Sequence, residues 1–254
     1  MNPQGTAFAS DFDGTLCISD WEKGTQEFDP AVIDAVRAYQ AAGGLFGICT
    51  GRPLFSVIEA LEGLLKLDFY IVTTGAQVMD RDLNPLLEHP LDRAVAQQLY
   101  ARYASNDMGF VAVNERTFFS VGRPFAEQMP MVPTLDAVEG TLLGVSLESH
   151  GDEELARSTC AELNRLFGDK VEGFQNLGSV DIVPRGCSKG SGVRMAKEAL
   201  GVSCMAGAGD SYNDLPLLAA ADVSYTFHSS PQQVRDAATH VVANLAEALH
   251  DFMA

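Results

Sequence analysis

Apolar runs of four to six residues alternate with amphipathic segments at both ends of this chain, and the alternation breaks in the middle. The first run, Ala7-Phe8-Ala9-Ser10, reads as a short strand leading into Asp11-Phe12-Asp13-Gly14. Pro30 to Ala42 follows with an apolar stripe of Ala31, Val32, Ala35, Val36 and Tyr39, the spacing of a helix face. Asp29-Pro30 suits its start and Gly43-Gly44 its stop. Leu45 to Cys49 is apolar at nearly every position, as in a strand covered on both faces. Leu54 to Leu67 is again amphipathic, and Phe69 to Thr73 is a third strand. This spacing predicts βαβ units and a parallel sheet, hence an α/β fold.

From about Gln77 the rhythm changes. Asp92–Ala104 and Glu153–Phe167 read as helices. Phe110–Val113, Thr117–Val121 and Leu142–Leu147 read as strands, and Val171–Phe174 with Val180–Val183 as a hairpin across Asn176-Leu177-Gly178-Ser179. Phe125–Glu139, rich in Pro and Met, gives no periodic signal. The βα rhythm returns after Pro184, with a helix over Ser188–Leu200, a strand over Val202–Gly209, a short helix over Asp214–Ala221 and a strand over Val223–Phe227. Helices over Gln232–Ala238 and Leu245–Phe252 complete the chain. Residues 1–76 and 186–254 therefore form one expected domain, and residues 77–185 an inserted α+β domain.

Composition narrows the partners. The 254 residues are 46% hydrophobic, enough for a sizeable core, and carry a net charge of −17. Such acidity argues against nucleic acid and anionic membranes, which call for basic patches. An anionic small substrate needs local positive charge from a metal or a placed Lys or Arg. The five cysteines form no Cys-x-x-Cys pair, which makes a zinc site unexpected and a reducing, cytoplasmic setting the best fit. No basic residue precedes Lys23, as a secretory leader would require, and no apolar run approaches the roughly 18 residues of a membrane span.

The chemistry gathers where predicted strands end. Asp11 and Asp13 are two apart on an extended chain, so they leave on one side. Two neighbouring carboxylates repel unless a cation or proton relieves them, and Mg²⁺ is the natural oxygen-seeking cation. One could act as nucleophile and the other as acid and base. Thr50-Gly51-Arg52, the helix opening at Lys189, and Asp210-Ser211-Tyr212-Asn213-Asp214 fall at comparable ends. In open parallel sheets such ends meet at one edge. Each has a plainer reading: Thr50 as a helix cap, Lys189 and Arg52 as surface residues, Asn213 or Asp214 as caps. Their joint occurrence favours a site.

That combination resembles the haloacid dehalogenase superfamily of phosphohydrolases. Asp11-Phe12-Asp13-Gly14-Thr15-Leu16, Thr50-Gly51-Arg52, Ser188-Lys189-Gly190 and Gly209-Asp210-Ser211-Tyr212-Asn213-Asp214 match its four motifs in order. The long insertion resembles the C2-type cap of the Cof-like sugar-phosphatase branch. The resemblance implies a Rossmann-like core and Mg²⁺-dependent hydrolysis of a small phosphorylated metabolite, such as a sugar phosphate. It implies Asp11 as nucleophile and Asp13 as acid and base. Mg²⁺ would be held by Asp11, the Asp13 main-chain carbonyl and Asp210, with Asp214 in support. Thr50, Gly51 and Lys189 would bind phosphate, and Arg52 and Asn213 are candidate substrate contacts. Two stretches depart from the branch: Thr74-Gly75-Ala76 stands where Asn-Gly-Ala is usual, and Ser224 to Ser230 replaces a Gly-Val-Ala-Met-Gly-Asn-Ala loop. A phosphomutase related to phosphomannomutase, or a non-catalytic binder of a phosphorylated ligand, are the alternatives. Arg123, Glu127, His150, Asn176 and Arg185 are polar positions from which the insertion could reach a substrate.

Overall fold

The computed structural model describes residues 2–20, 25–124 and 129–254. Six strands form a parallel sheet in the order His240–Val242, Val223–Phe227, Cys204–Ala208, Thr6–Ser10, Leu45–Cys49, Phe69–Val72. The central strand Thr6–Ser10 is wholly buried, and its alternation serves both faces. Phe8 points to the side where helices Pro30–Ala41 and Leu245–Met253 pack. There its ring stacks on Phe46 and Tyr225, at centroid distances of 6.1 and 5.9 Å, and meets Phe252 edge-on. Ala7 and Ala9 point the other way, into a layer with Phe69, Ile71 and Val193 of the helix Lys189–Leu200. The βαβ reading thus holds, with the sheet as its middle layer.

Two elements differ from the sequence reading. The second helix ends at Leu61, not Leu67, because Glu62 leaves helical geometry and Gly63 takes a positive φ of 72°. The strand His240–Val242, half exposed and short, was not anticipated and edges the sheet.

From Gln77, where the second domain is expected to begin, the chain first extends the first sheet. Gln77–Asp80 and Pro85–Glu88 add to it antiparallel, beside Phe69–Val72. A tight turn suffices for such pairing, and the Asp80 carboxylate closes it by accepting from the amides of Asp82 and Asn84. The change at Gln77 is therefore a change of strand direction before it is a change of layer.

A second sheet of six strands follows, in the order Met131–Val132, Phe118–Val121, Gly109–Asn114, Leu142–Glu148, Ser179–Pro184, Val171–Asn176. It is antiparallel but for its first pair. The helices Arg93–Tyr103 and Glu153–Phe167 cover one face, with Leu99, Leu147, Leu163 and Ile182 in a shared core. The opposite face bears Ser146, Asp181 and Asn176 and turns toward the loops of the first sheet. This is the expected combination of a Rossmann-like core and an α+β layer.

Candidate active site

Asp11 leaves the carboxyl end of the central strand, its amide donating to the Ala208 carbonyl at 2.8 Å. The chain then doubles back, with Gly14 N–H bonded to the Cys17 carbonyl at 2.8 Å. Gly14 sits at a φ of 81°, and a Cβ there would lie 2.5 Å from an Asp210 carboxylate oxygen. Glycine is required on both counts: the backbone conformation and the close approach of the two loops. Thr15 reinforces that approach by donating its hydroxyl to Asp210 at 2.6 Å.

Lys189 reaches the same point from the other side. Ser188 caps its helix in a reciprocal pair with Ser191, which fixes Lys189 as the first helical residue. The side chain is 1% exposed, and its ammonium donates to Asp11 at 2.8 Å, to Asp214 at 2.6 Å and to Asn213 at 3.4 Å. Asp214 is saturated: its other oxygen accepts from the amides of Asp210 and Ser211, each at 2.9 Å. It holds both the lysine and the loop that carries Asp210.

Asp11, Asp210 and Asp214 present carboxylate oxygens within 4.8 Å of one another. Burial raises the Asp11 carboxyl well above the usual range, Asp214 adds to this, and Lys189 opposes it. Asp210 is pushed up to about 7, by burial first and Asp214 second. Burial pulls the Lys189 ammonium down, but Asp11 and Asp214 outweigh it and hold it well above its ordinary value. One lysine is too little positive charge for three clustered carboxylates, two of them buried and Asp210 partly so. An all-oxygen donor set with excess negative charge suits a hard divalent cation, so the residues fit such an ion.

Thr50 and Arg52 complete the edge. Thr50 is buried, and its hydroxyl oxygen accepts from the Arg52 amide at 3.1 Å, leaving its own proton to donate. Arg52 turns away from the Asp11 cluster. Its guanidinium grips Asp13, touches Ser56 and Ser19, and lies 4.5 Å over the Phe12 ring. The Asp13 carboxylate accordingly faces Arg52, which leaves its main-chain carbonyl as the group it could offer a metal. The candidate substrate contact at Arg52 is thus engaged with Asp13, whereas Asn213 bridges Lys189 and the second sheet.

Of the polar positions in the insertion, Asn176 is brought in: its side-chain oxygen accepts from the Ser211 hydroxyl at 3.5 Å. Arg123 bonds Asn106, and Arg185 the Gly168 carbonyl at the end of a helix. His150 lies on an exposed turn. Glu127 lies outside the described residues. Asp181, which the sequence reading did not single out, also reaches the core loops. One of its oxygens would lie 3.0 Å from a Cβ on Gly51 and accepts from Asn213 Nδ2 at 3.3 Å. A lone acid between Val180 and Ile182 was the available signal.

The unusual Ser224–Ser230 stretch has a visible task. The Thr226 hydroxyl donates to the Gly209 carbonyl at 2.7 Å and meets Ser230 at 2.9 Å, bracing the backbone just before Asp210.

The fold and this carboxylate–lysine edge define a class of α/β enzymes. The family model described as haloacid dehalogenase-like hydrolase matches residues 8–248, and the chain belongs to that family. The membership expected from the four motifs therefore holds. Among relatives, an HMP-PP phosphatase of Cronobacter sakazakii is 25% identical over 228 residues, covering 84% of this chain and 80% of its own. An uncharacterized protein of Mycoplasma capricolum is 25% identical over 262 residues, covering 94% and 97%. Among solved structures, one from Streptococcus mutans superposes with a TM-score of 0.82 at 16% identity, covering 97% and 98% of the two chains. The HAD subclass IIB sugar phosphatase BT4131 gives 0.80 at 19%, with the same coverage. These two show that the fold is shared across both sheets.

Proposed function

We propose that this protein is a Mg²⁺-dependent phosphomonoester hydrolase that acts through an aspartyl-phosphate on a sugar phosphate or similar small phosphorylated metabolite. The observation that carries the reading is the buried Lys189 ammonium bonded at once to Asp11 and Asp214, with Asp210 beside them. A purely structural ion pair gains nothing from a third carboxylate. A site for a phosphoryl group and a cation does. The relatives named as phosphatases agree with it.

In this reading the free oxygen of Asp11 attacks phosphorus and the P–O bond to the leaving alcohol breaks. Lys189 holds Asp11 in place and neutralises charge that the nucleophile and phosphate bring together. Thr50 donates its hydroxyl to a phosphoryl oxygen, beside the Gly51 amide. Asp13 gives a proton to the departing alkoxide, then takes one from the water that cleaves the acyl phosphate. Arg52 holds both Asp13 oxygens, so one of its bonds loosens when that proton moves. Asp11, the Asp13 carbonyl and Asp210 would hold Mg²⁺, with Asp214 fixing the Asp210 loop. The ion would offset the charge on the carboxylates and phosphoryl oxygens. The six-stranded sheet and its two helices serve as the cap that screens the site from water.

Among the described residues no helix is long and apolar enough to cross a membrane. All five cysteines are free thiols, which suits a reducing, cytoplasmic setting.

Phosphate release from a panel of phosphomonoesters, run with Mg²⁺, with EDTA and with Asp11→Asn protein, tests the proposal. Release that needs Mg²⁺ and disappears in the variant supports it. No release from any compound, p-nitrophenyl phosphate included, overturns it.

A further inference from the structure

The face of the second sheet that meets the active site carries acids and amides where a cap that binds an anionic substrate tail would carry cations. Asp181 pairs directly with Ser146 across the strands, so both side chains stand on this face, and Glu148 stands two residues further along. Asn176 and Phe174 occupy the neighbouring strand on the same side. An Asp181 oxygen would lie 3.0 Å from a Cβ on Gly51 and accepts from the Asn213 side-chain amide at 3.3 Å, so its carboxylate stands between the second sheet and the loop proposed to bind phosphate.

Among the described residues, no ion pair reaches Asp181 or Glu148. The Lys189 ammonium favours the Asp181 carboxylate through space, the side-chain amides of Asn213 and Asn176 donate to it, and Glu148 accepts from the Ser146 hydroxyl at 2.6 Å. Burial raises both carboxyls, Glu148 to about 7, with Asp181 adding to the latter. A pair of half-buried acceptors with so few donors is incomplete by itself. A second anionic group on the substrate would worsen the repulsion, whereas hydroxyl or ammonium groups would relieve it.

We infer that Asp181 is the specificity-determining residue of the site. It selects phosphomonoesters whose leaving alcohol bears hydrogen-bond donors, and it rejects those bearing a second anion. The inference rests on the hydrolase reading and deepens it by naming the substrate class.

The test compares kcat/KM for four phosphoesters: sorbitol 6-phosphate with hydroxyl donors, phosphoethanolamine with an ammonium, butyl phosphate with neither, and phosphoglycolate with a carboxylate. Wild-type, Asp181→Asn and Asp181→Glu proteins are assayed with Mg²⁺. The expected wild-type ranking puts one or both donor-bearing compounds first and phosphoglycolate last, and which of the two leads tells hydroxyl from ammonium recognition. Asp181→Asn lowers kcat/KM for the preferred donor-bearing compound by roughly ten- to a hundredfold, mainly through KM, and changes butyl phosphate less than about threefold. Asp181→Glu restores part of the loss. An equal fall for all four compounds shows a structural role and overturns the inference. If Asp181→Asn does not fold, the wild-type ranking decides: no preference, or a preference for phosphoglycolate, overturns it while leaving the hydrolase intact. Silence toward all four and toward p-nitrophenyl phosphate fells both readings.

Discussion

Arg52 holds both carboxylate oxygens of Asp13, Nε to Oδ2 at 2.7 Å and Nη2 to Oδ1 at 2.6 Å. The pair joins the first and second motifs and sets where the proposed acid and base stands. The guanidinium is itself fixed, over Phe12 and against Ser56 and Ser19. A planar fork suits this two-point grip, and a lysine could not reproduce it. Arg52→Lys is expected to lower kcat/KM by about ten- to a hundredfold for alkyl phosphates, part of what acid–base catalysis contributes. kcat/KM reports the steps up to departure of the leaving group, so its loss should be small for p-nitrophenyl phosphate, whose phenolate departs without a proton. Equal losses of kcat/KM on both would show that Arg52 does not position an acid.

Lys189 tests the cluster itself. Lys189→Met removes the only ammonium bonded to Asp11 and Asp214, among the described residues, and leaves carboxylates facing each other in a buried space. Breaking a buried pair in this way costs about 3–5 kcal/mol. The variant should lose phosphatase activity by at least about a thousandfold and unfold at a lower temperature. Mg²⁺ should recover more Tm in the variant than in wild type, because the ion then relieves a larger excess of charge. Thermal melting with and without Mg²⁺ checks both parts.

The pH dependence of stability follows from Asp210. Its carboxyl stands at about 7 in the metal-free fold, raised by burial and then by Asp214, against a reference of 3.8. Between those values the folded state keeps a proton that the unfolded state has released. Stability from this group is thus complete below about pH 4 and is lost as pH rises through 7. In EDTA, wild-type Tm should fall from pH 5 to 8 more steeply than that of Asp210→Asn. A divalent ion favours the ionised carboxylates, so with Mg²⁺ the extra slope should vanish or reverse. Parallel slopes for the two proteins in EDTA would contradict the assignment.

The sequence made the core of this site legible because its residues sit at strand ends and helix starts, where polar groups interrupt apolar runs. Asp11, Lys189 and Asp210 each follow or open such a run. Asp181 was hidden by the rule that exposed the others. In an alternating strand, Val180-Asp181-Ile182 reads as buried–exposed–buried, so Asp181 looks solvated. Only the tertiary fold shows that this face is covered by the loops at Gly51 and Asn213. The partner of Asp13 was hidden for a similar reason, since nothing in Thr50-Gly51-Arg52 says which way the guanidinium turns. The antiparallel pairing of Ile18–Asp20 with Thr25–Glu27 was also missed, because two three-residue strands carry too little periodicity.

Thr73 and Thr74 pose the last test. Both lie in the left-handed region, at φ of 48° and 51°, directly before Gly75 at 85°. The turn is bound to the second motif: the amide of Thr73 donates to the Arg52 carbonyl and that of Thr74 to the Thr50 carbonyl. A Cβ on Gly75 would lie 2.0 Å from the Ser188 carbonyl oxygen, so this residue must stay glycine for the third motif to close in. Two β-branched residues therefore carry strain that the surrounding bonds impose, of order 1–3 kcal/mol each. The Thr73 hydroxyl is also buried without a hydrogen-bond partner among the described residues. Asn tolerates the left-handed region far better and occupies the corresponding position in the Cof-like pattern. Thr74→Asn should stabilise the fold by about 1 kcal/mol, raising Tm by about 2–4 °C. The Thr74 hydroxyl lies 3.4 Å from where a Cβ on Gly51 would be, beside the loop proposed to bind phosphate. The variant's KM should therefore change while Tm rises. A Tm unchanged or lowered would mean that the two threonines sit in this turn without cost, and that the hydroxyl contributes more than the strain removes.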